Sequence, residues 1–128
     1  PRPNIVNAYD NSIVYTDFVL NEAIDWLQSH ADTASGALLY VSDHGESLGE
    51  NNLYLHGLPY AIAPDFQKHV PWIEWHAPDF GLDLACLRQR RDMPMSHDNL
   101  FHTVLGMMQV QTVVYAQTQD VYEACRKP

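Results

Sequence analysis

The chain has 128 residues, the length of one domain, with 46% apolar residues and 14 aromatic side chains, enough to bury a core and too many for a disordered polymer. A formal charge of −9 with only seven Lys and Arg argues against a nucleic-acid binder, which needs clustered cations along a phosphate backbone. The short run Arg88, Arg90, Arg91 reads as a solvated helix end. No stretch approaches the roughly 20 apolar residues of a membrane-spanning helix. The chain opens at Pro1 without a secretory leader and reads as a piece of something larger. Cys86 and Cys125 have the number for one disulfide, but two thiols define no framework and sequence does not supply the geometry, so pairing stays open.

Residues 4–29 carry a helical pattern: Val6, Tyr9, Ile13, Val14, Phe18, Leu20, Ala23, Ile24 and Leu27 recur at steps of three and four. Residues 30–36 are small and polar, a loop. Residues 37–42 form a short, nearly continuous apolar run, expected of a strand inside a parallel sheet covered on both faces. Residues 43–67 hold three glycines and two prolines and read as a long irregular connection, a kind of segment that is usually functional. A second strand is expected at residues 70–75, with Pro71 near its start. Residues 79–91 give a weaker helix. Ser96 caps a clearer one that runs through Leu100, Phe101, Val104, Leu105 and Met108. Residues 112–115 fit a strand or an extended tail, and residues 120–125 a last helical turn. This order predicts an α/β layered fold.

Chemistry concentrates where the first strand stops. Asp43 and His44 follow the apolar run directly, and open α/β sheets bind ligands at the carboxyl ends of strands. Carboxylate oxygen and imidazole nitrogen both suit Zn²⁺, and Gly45 lets the chain turn sharply after them. A bare Asp-His-Gly is more often a turn cap beside a surface histidine. His56, twelve residues on, is a further ligand or a phosphate contact if the loop folds back. Glu46 and Glu50 fit acids that orient a ligand, although Glu50 reads better as an ordinary solvated carboxylate. His97 belongs to a helix cap and His102 to the packed core, whereas His30, His69 and His76 lack partners at a useful spacing. Neither Ser42 nor Ser47 sits in a nucleophile elbow, so the chain contains no convincing nucleophile.

The stretch from Ser42-Asp43-His44-Gly45-Glu46-Ser47-Leu48-Gly49-Glu50-Asn51 to Leu53-Tyr54-Leu55-His56-Gly57 resembles the late metal-binding motif of lipid A phosphoethanolamine transferases. These belong to the alkaline phosphatase/sulfatase superfamily and include the mobile colistin-resistance enzymes. The likeness continues in Asn7-Ala8-Tyr9-Asp10-Asn11-Ser12, in Pro59-Tyr60-Ala61-Ile62-Ala63-Pro64, in Lys68-His69-Val70-Pro71 and in Ser96-His97-Asp98-Asn99-Leu100-Phe101-His102, so nearly the whole chain is covered. The resemblance implies that residues 1–128 are the carboxy-terminal portion of a catalytic domain, a partial sulfatase-like layered fold with a central sheet flanked by helices. It implies Asp43 and His44 as ligands of a catalytic zinc, and His56 on the other side of the site against the transferred phosphate group or a second zinc. The family's threonine nucleophile, an early glutamate ligand, another site histidine and its membrane-spanning region do not map onto these residues.

By the same resemblance, the full-length enzyme would move phosphoethanolamine from phosphatidylethanolamine to lipid A, which offsets the negative charge that polymyxin and other cationic peptides recognise. It would sit in the inner membrane with this portion in the periplasm, and the 128 residues alone would lack turnover. Two alternatives stand beside it. One is another sulfatase or phosphatase of the superfamily. The other is a non-catalytic α/β module that self-associates through exposed apolar surface.

Overall fold

The computed structural model describes residues 1–127, and its contacts divide the chain into two compact units, Pro1–Ala77 and Pro78–Pro128. The first unit begins with α1 (Arg2–Ser29), a 28-residue helix with Pro3 in its first turn, where a missing N–H costs nothing. Val6, Tyr9, Leu20, Ala23, Ile24 and Leu27 form its half-buried stripe, which serves the contacts with the strands that follow. Ile13, Val14 and Phe18, grouped with that stripe by periodicity, are instead exposed. Spacing places them on the helix, but a face is buried only where another element covers it.

Strand β1 (Ala37–Val41) pairs with β4 (Trp72–His76) in antiparallel register, from Ala37 opposite His76 to Val41 opposite Trp72. The expectation of a parallel-sheet interior is therefore corrected. All five β1 residues are half-buried rather than enclosed, and the described sheet has two strands. A continuous apolar run does not distinguish a doubly covered parallel strand from an antiparallel one of this kind. The predicted irregular connection also contains order. A hairpin of β2 (Ser47–Leu48) and β3 (Tyr54–Leu55) is followed by one helical turn, α2 (Asp65–Lys68).

The second unit holds α3 (Leu84–Arg90) and α4 (Asp98–Met107). Helix α3 is shorter than the expected 79–91 because Asp83 caps it, its Oδ1 accepting the N–H groups of Ala85 and Cys86 at 2.8 and 3.3 Å. Ahead of α4, Ser96 Oγ accepts the Asp98 N–H at 3.2 Å and Asn99 Oδ1 accepts the Ser96 N–H at 2.9 Å, a reciprocal cap of the kind its sequence suggests. Residues 112–115 form turns rather than a strand, and the last helical turn is a 3₁₀ turn over Glu123–Cys125. Cys86 and Cys125 are joined in a disulfide with Cα atoms 5.5 Å apart, settling the open pairing.

The carboxy-terminal segment is held against α4 by polar contacts. Thr103, fully buried, accepts the Val121 N–H at 3.0 Å. His102 Nδ1 accepts the Ala116 N–H at 3.1 Å, which gives this histidine a structural role. Asp120, buried, takes Arg126 Nη2 at 2.6 Å and the Tyr115 hydroxyl at 2.8 Å. Gly106 in α4 leaves room for that pair, since a Cβ there would collide with Asp120 Oδ2 and Arg126 Nη2. No helix among the described residues is long and apolar enough to cross a membrane.

Candidate metal centre

The backbone that carries Asp43 and His44 leaves β1 and is pinned at once. Gly45 N–H donates to the Gln67 carbonyl at 3.0 Å, and a Cβ at position 45 would collide with the Phe66 carbonyl oxygen. Gly45 is thus needed for a close backbone approach, not for a left-handed turn. Gln67, itself buried, donates from Nε2 to Ser47 Oγ and to the Leu55 carbonyl at 3.0 Å. One side chain from α2 thereby ties together the β2–β3 hairpin, which brings His56 back towards His44. On the opposite flank, Arg2 reaches from α1 to the Leu48 carbonyl and to Glu50 Oε1, both at 3.1 Å. Glu50 Oε2 also accepts the Leu48 N–H at 2.7 Å. The backbone N–H groups of Glu50 and Leu48, with Arg2 adding to them, hold the Glu50 carboxyl below its ordinary range.

The result is a cluster of His44, Glu46 and His56, whose ligand atoms all lie within 4.8 Å of one another. The two imidazole rings stack with centroids 3.6 Å apart. His44 Nδ1 is 2.9 Å from the Gly45 carbonyl, which can only accept, so Nδ1 carries the proton and Nε2 the lone pair. His56 Nδ1 lies 3.0 Å from Glu46 Oε2, an arrangement that likewise leaves His56 Nε2 to face a ligand. The other Glu46 oxygen, Oε1, is buried without a hydrogen-bond partner. A buried anionic oxygen left unpaired is costly, and a cation beside it would remove that cost. Two imidazoles and a carboxylate also make a donor set that suits a borderline-soft divalent metal. On both counts the residues fit a metal ion.

Asp43 stands apart from this cluster. Its side chain is 89% exposed, with Oδ2 3.7 Å from His44 Nε2 and Oδ1 accepting the His44 N–H at 3.1 Å. The sequence-level site thus separates into a pair, Asp43 with His44, and a triad that shares His44 and adds Glu46 and His56. Glu46 stands in the cluster itself rather than only orienting a ligand, and Gln67 braces it from a position that no motif marks. The acid at an even spacing from His44 was a signal for the first, whereas nothing local marks the second. Ser42 Oγ donates to the His44 carbonyl at 2.8 Å and Ser47 is buried against Gln67, so both serve the loop's structure. His30, His69, His76, His97 and His102 join no such cluster among the described residues.

Comparison with known proteins matches the sulfatase family model over residues 2–110. The chain belongs to the sulfatase family, and its fold is the α/β layered fold of that superfamily. Within the family it is similar to phosphoethanolamine transferases. Phosphoethanolamine transferase EptA of Salmonella typhimurium is 48% identical over an aligned length of 131 that covers 98% of this chain and 24% of that protein. Phosphatidylethanolamine transferase Mcr-1 of Escherichia coli is 41% identical over 107 residues, 84% of this chain and 19% of that protein. The soluble domain of lipooligosaccharide phosphoethanolamine transferase A from Neisseria meningitidis superposes with a TM-score of 0.94 at 42% identity. It covers all of this chain and 40% of that one. The carboxy-terminal periplasmic domain of phosphoethanolamine transferase EptC from Campylobacter jejuni gives 0.87 at 40%, covering all of this chain and 41% of that one. The chain spans about a quarter of the length of the curated relatives it matches.

Proposed function

We propose that this chain is the carboxy-terminal portion of the catalytic domain of a zinc-dependent phosphoethanolamine transferase. Asp43 and His44 are zinc ligands and His56 faces the substrate. The observation that carries the reading is the convergence of His44, Glu46 and His56 beside a buried, unpaired carboxylate oxygen. Asp43 adds to it: the 3.7 Å between its Oδ2 and His44 Nε2 is close to the roughly 3.4 Å edge of a tetrahedron with metal–ligand bonds of about 2.1 Å. A bound zinc would polarise a phosphoryl oxygen and lower the pKa of a coordinated hydroxyl.

This chain's own residues then have defined tasks. His44 presents Nε2 because Gly45 holds its other nitrogen. Glu46 fixes the ring of His56 by accepting from its Nδ1, which leaves Nε2 turned to the substrate side of the centre. The donor would be phosphatidylethanolamine and the acceptor lipid A, with the attacking hydroxyl supplied from outside these 128 residues. The whole protein would be an inner-membrane enzyme with this portion in the periplasm, and it would lower susceptibility to polymyxin.

Zinc titration calorimetry on the chain and on Asp43→Ala, His44→Ala and His56→Ala tests the centre. His44→Ala should lose binding at least tenfold, in line with the 10–100-fold cost of disturbing a metal site. Binding that is tight and unchanged in all three variants would remove the assignment.

A further inference from the structure

Four non-glycine residues among those described have a positive φ: Asn51, Asn52, Leu55 and Gln109. Three of them have an ordinary reason. Asn51 and Asn52 lie at the tip of the β2–β3 hairpin, and asparagine tolerates the left-handed region better than most side chains. Gln109 follows the last turn of α4, where its N–H donates to the Gly106 carbonyl at 3.1 Å, and a left-handed residue commonly ends a helix there. Leu55 has no such reason. It is the last residue of β3, opposite Ser47, with a φ of 65° that a bulky side chain rarely adopts. Its side chain is 69% exposed, so little packing of its own offsets the strain.

Gln67 holds that strain in place. Its Nε2 donates to the Leu55 carbonyl at 3.0 Å, and its own carbonyl accepts the Gly45 N–H at 3.0 Å. One residue thus fastens the position just before His56 and the position just after His44. Gly57, on the other side of His56, has a φ of 97°, and among the described residues nothing lies within 4 Å of where its Cβ would stand. Its requirement is therefore conformational alone. His56 is flanked by two left-handed residues, and between them its ring comes to stack on His44 with centroids 3.6 Å apart while its Nδ1 lies 3.0 Å from Glu46 Oε2. Backbone strain that the surrounding contacts over-determine points to function. We propose that Leu55 is a positioning residue: its left-handed backbone, locked by Gln67, aims the His56 imidazole at His44 and Glu46. The proposal deepens the transferase reading and rests on it, because the aim matters to the reaction only if His56 works in that centre.

Substitutions at position 55 separate the backbone from the side chain. Glycine adopts a positive φ freely, alanine is disfavoured there much as leucine is, and β-branched valine fits the region worst. A backbone role therefore ranks Leu55→Gly at least equal to the parent, Leu55→Ala close to it and Leu55→Val last. A role for the apolar side chain puts valine ahead of alanine and glycine. NMR on the isotope-labelled, metal-free chain reads the geometry through cross-peaks between the His44 and His56 ring protons, with cross-strand peaks between β1 and β4 reporting an intact sheet. The ring cross-peaks should persist in Leu55→Gly and Leu55→Ala and be lost in Leu55→Val. Urea denaturation gives a second reading that does not need Leu55→Val to fold: the midpoint of Leu55→Gly should be no lower than the parent's, although an apolar side chain has gone. Ring cross-peaks retained in Leu55→Val, or lost in Leu55→Gly, overturn the proposal, as does a lowered midpoint in Leu55→Gly. Zinc calorimetry keeps the two levels apart. Ring contact that follows position 55 while zinc binding ignores Asp43, His44 and His56 upholds the positioning and removes the function it serves. Zinc binding that needs His44 and His56, with ring contact indifferent to position 55, removes the positioning alone.

Discussion

Gly45 and Phe66 meet backbone to backbone, so closely that any side chain at position 45 would collide with the Phe66 carbonyl oxygen. The neighbouring bond from Gly45 N–H to the Gln67 carbonyl, 3.0 Å long, fixes the same approach. The strand end that carries Asp43 and His44 is therefore positioned by residues more than twenty places further along the chain. Gly45→Ala should cost about 2–3 kcal/mol, as overpacking does where backbone cannot yield. Urea denaturation should register the loss, and zinc calorimetry on the folded variant should show weaker binding.

Glu46 is expected to matter through its charge as well as its geometry. Glu46→Gln keeps an oxygen able to accept from His56 Nδ1 but removes the carboxylate whose Oε1 is buried and unpaired. Zinc affinity should fall about 10–100-fold, the range seen when partners of metal ligands are lost. The apo chain should be no less stable, because an uncompensated anionic oxygen has been removed. Equal zinc affinity in the two proteins would exclude Glu46 from the centre.

The bond between Cys86 and Cys125 closes a separation of 39 residues, for which chain entropy gives about 4 kcal/mol as an upper figure. The double variant Cys86→Ser/Cys125→Ser should therefore melt earlier in the second unit, which contains the whole loop. Hydrogen exchange resolved along the chain should localise the loss to α3 and the Glu123–Cys125 turn. Protection in β1 and β4 should change less.

Tyr115 gives the second unit a defined alkaline limit. Burial, then the hydrogen bond and negative charge of Asp120, then Glu123, push its hydroxyl far above the ordinary tyrosine range. The unfolded chain releases this proton near pH 10, while the folded chain retains it. The stabilisation is complete below that pH and is lost progressively as pH rises beyond it. Tyr115→Phe should cost about 1–2 kcal/mol at neutral pH through the lost hydrogen bond. It should also flatten the decline in stability that sets in above about pH 10, as measured by urea melts at each pH.

Much of this could be read from local pattern. The 28-residue helix, the strand that leads to Asp43, the reciprocal cap around Ser96 and Asn99, and the strand after Pro71 each follow from spacing or from one residue's stereochemistry. The motif around Asp43 and His44 also points to the stretch in which His44, Glu46 and His56 converge. Other features depend on contacts between distant residues. The partner of β1 could not be inferred from its apolar run, because β4 lies more than thirty residues away. Ile13, Val14 and Phe18 satisfy helical periodicity whether or not anything covers them. Gln67 has no signature, since a glutamine in one short helical turn becomes informative only when its amide is found bridging Ser47 and Leu55. The separation of Asp43 from the triad likewise depends on how the hairpin folds back.

The clasp formed by Gln67 has a consequence for how metal capture and chain integrity are linked. Residues 45 and 67 bound one closed loop that contains Glu46 and His56, so losing its continuity or its closure disperses the ligands. Metal binding and resistance to proteolysis should then rise and fall together, each drawing on the same closure of the loop. A protease nick between Gly57 and Ala61 would cut the covalent link between the hairpin that carries His56 and the Gln67 clasp while leaving β1 and β4 paired, yielding a protein that retains its sheet but assembles its ligands less well.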